Sequence, residues 1–200
     1  MGKISTYTYG APTIETMLIG TDVNNSNETK NFTIEDLLNL YQPNNLAKGF
    51  YFDSLTQTLT GGANVGVPVI LRSIYLQNNM TIVSDGTNLS RITFLQSGYY
   101  RISASINLAN SAGASQTVDM WLRKNGNTAA ANLQDTNHKV QLQSNSNYAL
   151  ASFDYILYCN ANDYIQLMWA ATSTNVTMAV EASNSVHPAT PSVSVTINQV

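Results

Sequence analysis

From residue 48 to the end of the chain, apolar and polar residues alternate with a period of two. The clearest run has apolar residues at Tyr100, Ile102, Ala104, Ile106 and Leu108, with polar residues between them. The same alternation recurs in segments 118–122, 165–169, 176–180 and 193–197. Because successive side chains of a strand point to opposite faces, this pattern predicts a series of half-buried β-strands.

Turn-forming residues separate these segments, among them Asp85-Gly86, Ser97-Gly98, Lys124-Asn125-Gly126 and the 160–163 stretch. Asn-Gly between alternating apolar residues predicts a β-hairpin. Further apolar segments at 50–52, 67–76, 80–83 and 90–94 bring the expected number of strands to about ten, which is typical of a two-sheet sandwich. The predicted fold class is therefore all-β, with a two-sheet sandwich or jelly roll over residues 48–200.

Residues 1–47 have a different pattern. Segment 17–20 predicts a short strand, segment 30–32 a return strand, and Thr33-x-x-Asp36 the capped start of a short helix that ends before Pro43. Such elements cannot enclose a core, so we expect an attachment segment that docks on another protein. A decoration folded back on its own domain is the alternative. The residues predicted to dock are Leu18, Ile19, Gly20, Asp22, Phe32, Ile34 and Leu37.

Charge is scarce in this chain, at 10% of residues against 44% hydrophobic, so Asn, Ser and Thr must supply the polar surface. A net charge of −3 without a basic stripe argues against nucleic-acid binding. No run approaches the roughly 18 apolar residues of a membrane span, and we expect neither membrane insertion nor a secretory signal. Cys159 is the single cysteine, so it is expected to be a small buried hydrophobe.

Catalytic and metal-binding patterns are not evident, so we expect a non-enzymatic protein without a cofactor or metal. His138 and His187 fall in predicted loops, and no nucleophile or zinc motif accompanies them. Asp119 and Asp154 fall on predicted strands and are expected to face solvent or a partner chain. They could act together on a glycosidic bond only if the fold brought them close to one another.

Four segments carry a resemblance to a known family: GYYRI at 98–102, WLRKNG at 121–126, FDYIL at 153–157 and NDYIQL at 162–167. The residue types in these segments, and the order of the segments along the chain, resemble the complement globular-head and tumour-necrosis-factor-like jelly roll. The resemblance covers residues 48–200. The ending, residues 187–200, is similar to the close of phage-encoded members. Segment 18–34 resembles an amino-terminal segment of phage fibre-type proteins. A collagen-like stalk, found elsewhere in the family, is missing between the two parts.

This resemblance implies a homotrimer on a bacteriophage particle, with residues 1–47 bound to other virion proteins of the head or tail and the jelly roll exposed as a knob. The eleven Tyr and two Trp, which are enriched in interface cores, are compatible with assembly. The strands also leave largely uncharged second faces. The candidate trimer-interface residues are Ser103, Ser105, Tyr164, Gln166 and Met168.

Loops at 109–116, 125–137 and 171–175 are the predicted contact surfaces for a host surface glycan or protein, because function on a sandwich is concentrated on loops. The candidate receptor-contact residues are Asn110, Asn125, Asn127, Asn132 and Asn175. Two alternatives remain open at this stage. One is a purely structural capsid or tail decoration without a receptor, and the other is a cellular adhesin-like module of the same fold.

Overall fold

The structure is a computed structural model that describes residues 17–22, 28–33, 46–146 and 148–200. The chain divides into two units, residues 1–45 and 46–200. In the first unit, β1 (Met17–Asp22) and β2 (Glu28–Thr33) form an antiparallel pair in which Met17 lies opposite Thr33 and Asp22 opposite Glu28. The predicted strand and return strand are thereby confirmed. The predicted helix, with Ile34 and Leu37, lies outside the described residues.

The second unit contains thirteen strands. They are β3 (Lys48–Asp53), β4 (Gln57–Thr58), β5 (Val67–Pro68), β6 (Ser73–Asn78), β7 (Met80–Ser84), β8 (Leu89–Phe94), β9 (Gly98–Asn110), β10 (Gln116–Lys124), β11 (His138–Leu142), β12 (Ala149–Cys159), β13 (Tyr164–Ala171), β14 (Val176–Met178) and β15 (Val193–Gln199). One short 3-10 turn, Ala129–Ala131, follows β10. No helix in the described part of the chain is long and apolar enough to cross a membrane.

Two antiparallel sheets make up the second unit. Sheet I has seven strands: β12 pairs with one side of β9, β15 and β14 share the other side, and β3, β6 and β4 extend the sheet beyond them. Sheet II has six strands in the order β11, β10, β13, β8 and β7, with β5 also paired to β13. This arrangement is a jelly-roll sandwich, so the predicted fold class is confirmed.

The core lies between the two sheets and is filled by alternate residues of the strands. Its largest fully buried side chains include Trp169 and Phe94 from sheet II and Tyr51 and Tyr100 from sheet I. Burying a large apolar side chain contributes roughly 1.5–3 kcal/mol, so these inward positions dominate the stabilisation of the fold. Cys159 is fully buried, as predicted, and burial raises the pKa of its thiol to about 11.

Two local predictions differ from the structure. His138 was expected in a loop, but it begins β11, which contains only two apolar residues, Val140 and Leu142. Two alternating positions are too few to stand out as a strand. The Lys124-Asn125-Gly126 segment predicts a hairpin, and β10 and β11 do pair antiparallel, but through a longer connection than Asn-Gly alone provides. Asn125 does adopt a left-handed φ of 53°, but the chain continues through residues 125–137 before β11 begins.

Asp163 connects this long loop to the turn between β12 and β13. Its Oδ1 accepts a 2.6 Å hydrogen bond from Asn125 Nδ2, and its Oδ2 accepts a 2.8 Å bond from the backbone N–H of Asn160. Lys124 Nζ lies 2.8 Å from the same Oδ2. Burial alone would raise the pKa of the Asp163 carboxyl, but these donors outweigh it and lower the pKa to about 2. The ionised carboxylate therefore stabilises both turns.

We predict that Asp163→Asn lowers the free energy of unfolding at pH 7 by about 2 kcal/mol. Because the folded-state pKa is depressed, the contribution is present above pH ~4, the ordinary aspartate value, and is lost as the pH falls towards ~2. Urea unfolding at a series of pH values measures this. The matched control is Asp135→Asn, which changes a carboxylate without hydrogen bonds to described residues. A constant difference between Asp163→Asn and wild type across that pH range would contradict the assignment.

Candidate functional site

The face of sheet I that points away from the core, which we call the outer face, carries small uncharged residues at its centre. Ser103 and Ser105 of β9 lie opposite Thr196 and Ser194 of β15. None of these four side chains is fully buried, and none carries a charge. Another molecule can approach an uncharged surface of this kind closely without burying an unpaired charge.

One edge of the outer face is an apolar groove, which we call the aromatic groove. Phe50 and Phe52 of β3 stack with their ring centroids 6.0 Å apart, and Tyr75 of β6 meets Phe50 edge-on at 5.7 Å. Residues 180–182 and 189–191 form the opposite wall of a cavity of about 400 Å³. Tyr75 is 79% exposed, so the described residues leave this aromatic surface open to a partner.

The opposite edge of the outer face is β12, whose exposed apolar residues form what we call the β12 ridge. Leu150, Ile156 and Tyr158 are 67%, 64% and 49% exposed. Tyr158 meets Tyr99 of β9 edge-on, with centroids 5.2 Å apart. Ile156, Tyr158 and Tyr99 are neighbours on this surface, and clustered exposed apolar residues usually mark an interaction surface, whereas single ones are ordinary.

A charged pair lies beside the β12 ridge. Arg101 of β9 donates to Asp154 of β12 from Nε and Nη2, at 2.8 and 2.6 Å to Oδ2, and Ser103 Oγ donates to Oδ1 at 3.0 Å. The hydrogen bonds from Arg101 lower the pKa of Asp154, and Asp154 in turn raises the pKa of Arg101. Because each charge is already paired, a partner could cover this part of the outer face without isolating either one.

The predicted trimer-interface residues separate into two groups. Ser103 and Ser105 lie on the outer face, but Tyr164, Gln166 and Met168 belong to β13 of sheet II. Gln166 and Met168 are buried inside the protomer, so the expectation that they line a free second face is wrong. The reason is that β5 pairs with β13 through Pro68 opposite Met168, and Ser90 Oγ accepts a hydrogen bond from Gln166 Nε2. Alternation alone cannot reveal that a second face is covered.

Asn110, a predicted receptor-contact residue, is also buried in the structure, and that prediction is wrong. Its Nδ2 donates to the carbonyls of Ala114 and Gln143, and its Oδ1 accepts from the N–H of Ala112. These bonds hold the loop between β9 and β10 against the end of β11. The side chain is therefore structural.

The other receptor-contact candidates are more accessible. Asn125 and Asn127 are exposed, but each makes a hydrogen bond within the chain. Asn125 donates one to Asp163, and Asn127 accepts one from Arg91. Asn132 is half-buried and accepts a bond from Arg123 Nε. The Asn175 side chain is exposed and makes no hydrogen bond to a described residue.

The two carboxylates that could have acted together on a glycosidic bond lie on different sheets. Asp119 lies on β10 of sheet II near Lys139, whereas Asp154 lies on β12 of sheet I with Arg101. His138 packs against the rings of Phe153 and Tyr155. Within the described residues there is no group of three His, Cys, Asp or Glu side chains that could hold a metal ion.

Sequence reasoning missed Phe50, Tyr75, Leu150, Ile156 and Tyr158 as surface residues. A signal was present in β12, where apolar residues occupy both sides: Leu150, Ile156 and Tyr158 on one, Ala151 and Phe153 on the other. An apolar pattern on both sides is typical of strands buried on both faces, whereas the outward residues of β12 are exposed in the described chain. The aromatic groove had no comparable signal because its walls come from distant parts of the chain.

Known proteins resemble this chain in fold. Two crystal structures of murine APRIL, determined at pH 8.0 and pH 5.0, give TM-scores of 0.49 and 0.46 with 8% and 9% identity. In each case the alignment covers 78% of this chain and 99% of the other. No protein-family model and no curated protein matches the sequence. The jelly-roll assignment therefore depends on the strand order of sheets I and II.

We predict opposite outcomes for two asparagines that sequence reasoning treated alike. Asn110→Ala should lower the free energy of unfolding by about 1–3 kcal/mol, because it removes three hydrogen bonds made by a buried side chain. Asn175→Ala should change it by less than ~0.5 kcal/mol, as surface substitutions do. Urea unfolding of both variants measures the difference. Equal effects would contradict the structural role of Asn110.

Proposed function

We propose that this chain is a structural virion protein of a bacteriophage: a homotrimeric fibre or appendage, of the head or the tail, whose jelly roll is exposed and contacts host surface glycans. Residues 1–47 attach it to other virion proteins. The resemblance of segments 18–34 and 187–200 to phage fibre-type proteins supports the virion assignment. The jelly roll of residues 46–200 is compatible with a knob.

The observation that best supports a trimer is that the two edges of the outer face present different apolar surfaces. The aromatic groove lies at one edge, at β3 and β6, and the β12 ridge lies at the other. Two different apolar patches at opposite edges of the same molecule favour a head-to-tail contact, and such contacts form closed rings when the rotation allows it. Three subunits is the number that the family resemblance implies.

The chemistry between the two edges suits such a contact. Its centre consists of small hydroxyl side chains, and its charges, Arg101 and Asp154, neutralise one another. Burying an unpaired charge would cost several kcal/mol, and at the centre of this face Arg101 and Asp154 need no new partner. Desolvation of that centre therefore opposes assembly only weakly.

The mechanism of attachment would be avidity. Three weak sites on each knob, repeated over many knobs on one particle, can exceed the affinity of a single site by roughly 10²–10⁴. No strong individual contact is required, and no covalent chemistry. We accordingly propose a binding protein and not an enzyme, because Asp119 and Asp154 belong to different sheets and each has a basic neighbour.

Substitution of the β12 ridge tests assembly. Ile156→Glu in the full chain should convert the trimer into monomer, because it places an unpaired charge in a buried interface. The matched control is Val83→Glu, an exposed apolar residue on sheet II, which should leave the trimer intact. Light scattering gives the molecular mass of each. A monomeric wild-type chain, or an Ile156→Glu variant that remains trimeric, would refute this interface.

Removal of the knob separates attachment from simple decoration. Particles carrying a chain that lacks residues 46–200 should adsorb poorly to host cells while withstanding heat and osmotic shock as well as wild-type particles. Adsorption assays and particle-stability assays on the same preparations give both readouts. Normal adsorption with reduced particle stability would favour the purely structural alternative.

A further inference from the structure

Sheet II carries a cleft on its outward side, away from the outer face of sheet I. It has a volume of about 340 Å³, and its walls are Asp119 and Trp121 of β10 and the 132–137 loop. A pocket near the lower end of the usual 300–1,000 Å³ range has room for one small ligand unit. We call it the Trp121 cleft.

The indole of Trp121 is held in place from outside the cleft. An added Cβ at Gly66 would lie only 2.7 Å from Trp121 Cη2, so the ring packs directly on the backbone of residue 66. Trp121 is half-buried, and its Nε1 is enclosed without a hydrogen-bond partner among the described residues. A fixed, partly open aromatic surface is a suitable platform for an apolar ligand face because little side-chain entropy is lost on binding.

Polar groups surround this platform. Asp119 Oδ1 accepts a 2.8 Å hydrogen bond from Asn137 Nδ2 and lies 3.7 Å from Lys139 Nζ, while no bond to a described residue uses Oδ2. Gln134 and Asp135 are exposed, and their side chains make no hydrogen bonds to described residues. Asp135 is held at a left-handed φ of 61°, which fixes the direction of its backbone at the rim. Carboxylate and amide oxygens without partners among the described residues therefore lie close to the ring.

We propose that the Trp121 cleft binds a neutral saccharide unit. One face of a pyranose presents C–H groups, which pack on an indole, and its hydroxyls donate to carboxylate and amide oxygens. The two carboxylates, Asp119 and Asp135, repel an anionic sugar at the same position. This inference rests on the proposed function and specifies the sugar class and the site through which the knob would contact a host glycan.

The location of the cleft is compatible with assembly. The aromatic groove and the β12 ridge lie on sheet I, whereas the Trp121 cleft lies on sheet II. Sugar binding and subunit contact thus use opposite sides of the sandwich, and a trimer would present three clefts.

Intrinsic fluorescence offers a direct test because the chain has only two tryptophans. Trp169 is 1% exposed in the core, so a saturable change on adding sugar reports Trp121. The full chain is titrated with glucose, galactose, mannose, N-acetylglucosamine and N-acetylgalactosamine, and with glucuronic and N-acetylneuraminic acids as anionic comparisons. We expect saturation with at least one neutral sugar and none with the acids. No saturation with any neutral sugar, or equal binding of the acids, would overturn the proposal.

Variants locate the binding site. Asp135→Asn preserves the left-handed backbone and should weaken binding roughly five- to tenfold, the effect of losing one charge-assisted hydrogen bond. Trp121→Leu should abolish binding, which is measured by ligand-observed NMR because the reporting indole is lost. If Trp121→Leu fails to fold, the Asp135→Asn result tests the site instead. The control, Val83→Glu on β7, is outside the cleft and should bind as wild type. Unchanged binding in both cleft variants would exclude this site.

The fluorescence result is independent of the test of the proposed function. A trimeric knob that supports host adsorption but binds no neutral monosaccharide would refute the Trp121 cleft alone. A monomeric chain without any effect on adsorption would refute the proposed function, whatever the sugar titration gives.

Discussion

The pairing of β9 with its neighbours is the interaction on which the rest of the second unit depends. This thirteen-residue strand pairs with β12 from Gly98 to Leu108 on one side and with β15 and β14 on the other. Its inward residues, such as Ile102 and Ile106, fill the core, and its outward residues form the middle of the outer face. Since a shift of one residue would exchange these two sets, core packing also fixes the chemistry of the surface.

The sequence predicted the strands well wherever one face of a strand is buried and the other is open, as in β9 and β15. It failed where tertiary neighbours change that balance. Gln166 and Met168 alternate with core residues, but β5 and Ser90 cover them. Asn110 resembles any loop asparagine until the carbonyls of residues 114 and 143 close around it. Burial by distant segments is a long-range property that a local pattern does not contain.

The scarcity of charge has different consequences on the two sheets. On sheet I, Arg101 and Asp154 satisfy each other, and the neighbouring residues at the centre of the outer face are hydroxylic. On sheet II, the carboxylates of Asp119 and Asp135 lie beside a fixed indole, where few cations compete for them. One weakly charged composition therefore produces a surface suited to association on sheet I and a cleft with two carboxylates on sheet II.

The edge position of β12 has a consequence for the fate of newly made chains. Among the described strands, β12 pairs only with β9, so eleven residues of backbone lie at the border of sheet I. Natural proteins usually protect such borders with unpaired charges or proline, and β12 has neither, since its one charged residue is already neutralised. In the proposed trimer, chains that accumulated faster than they associated would be exposed to edge-to-edge aggregation, so the rate of synthesis relative to assembly would govern the yield of soluble protein.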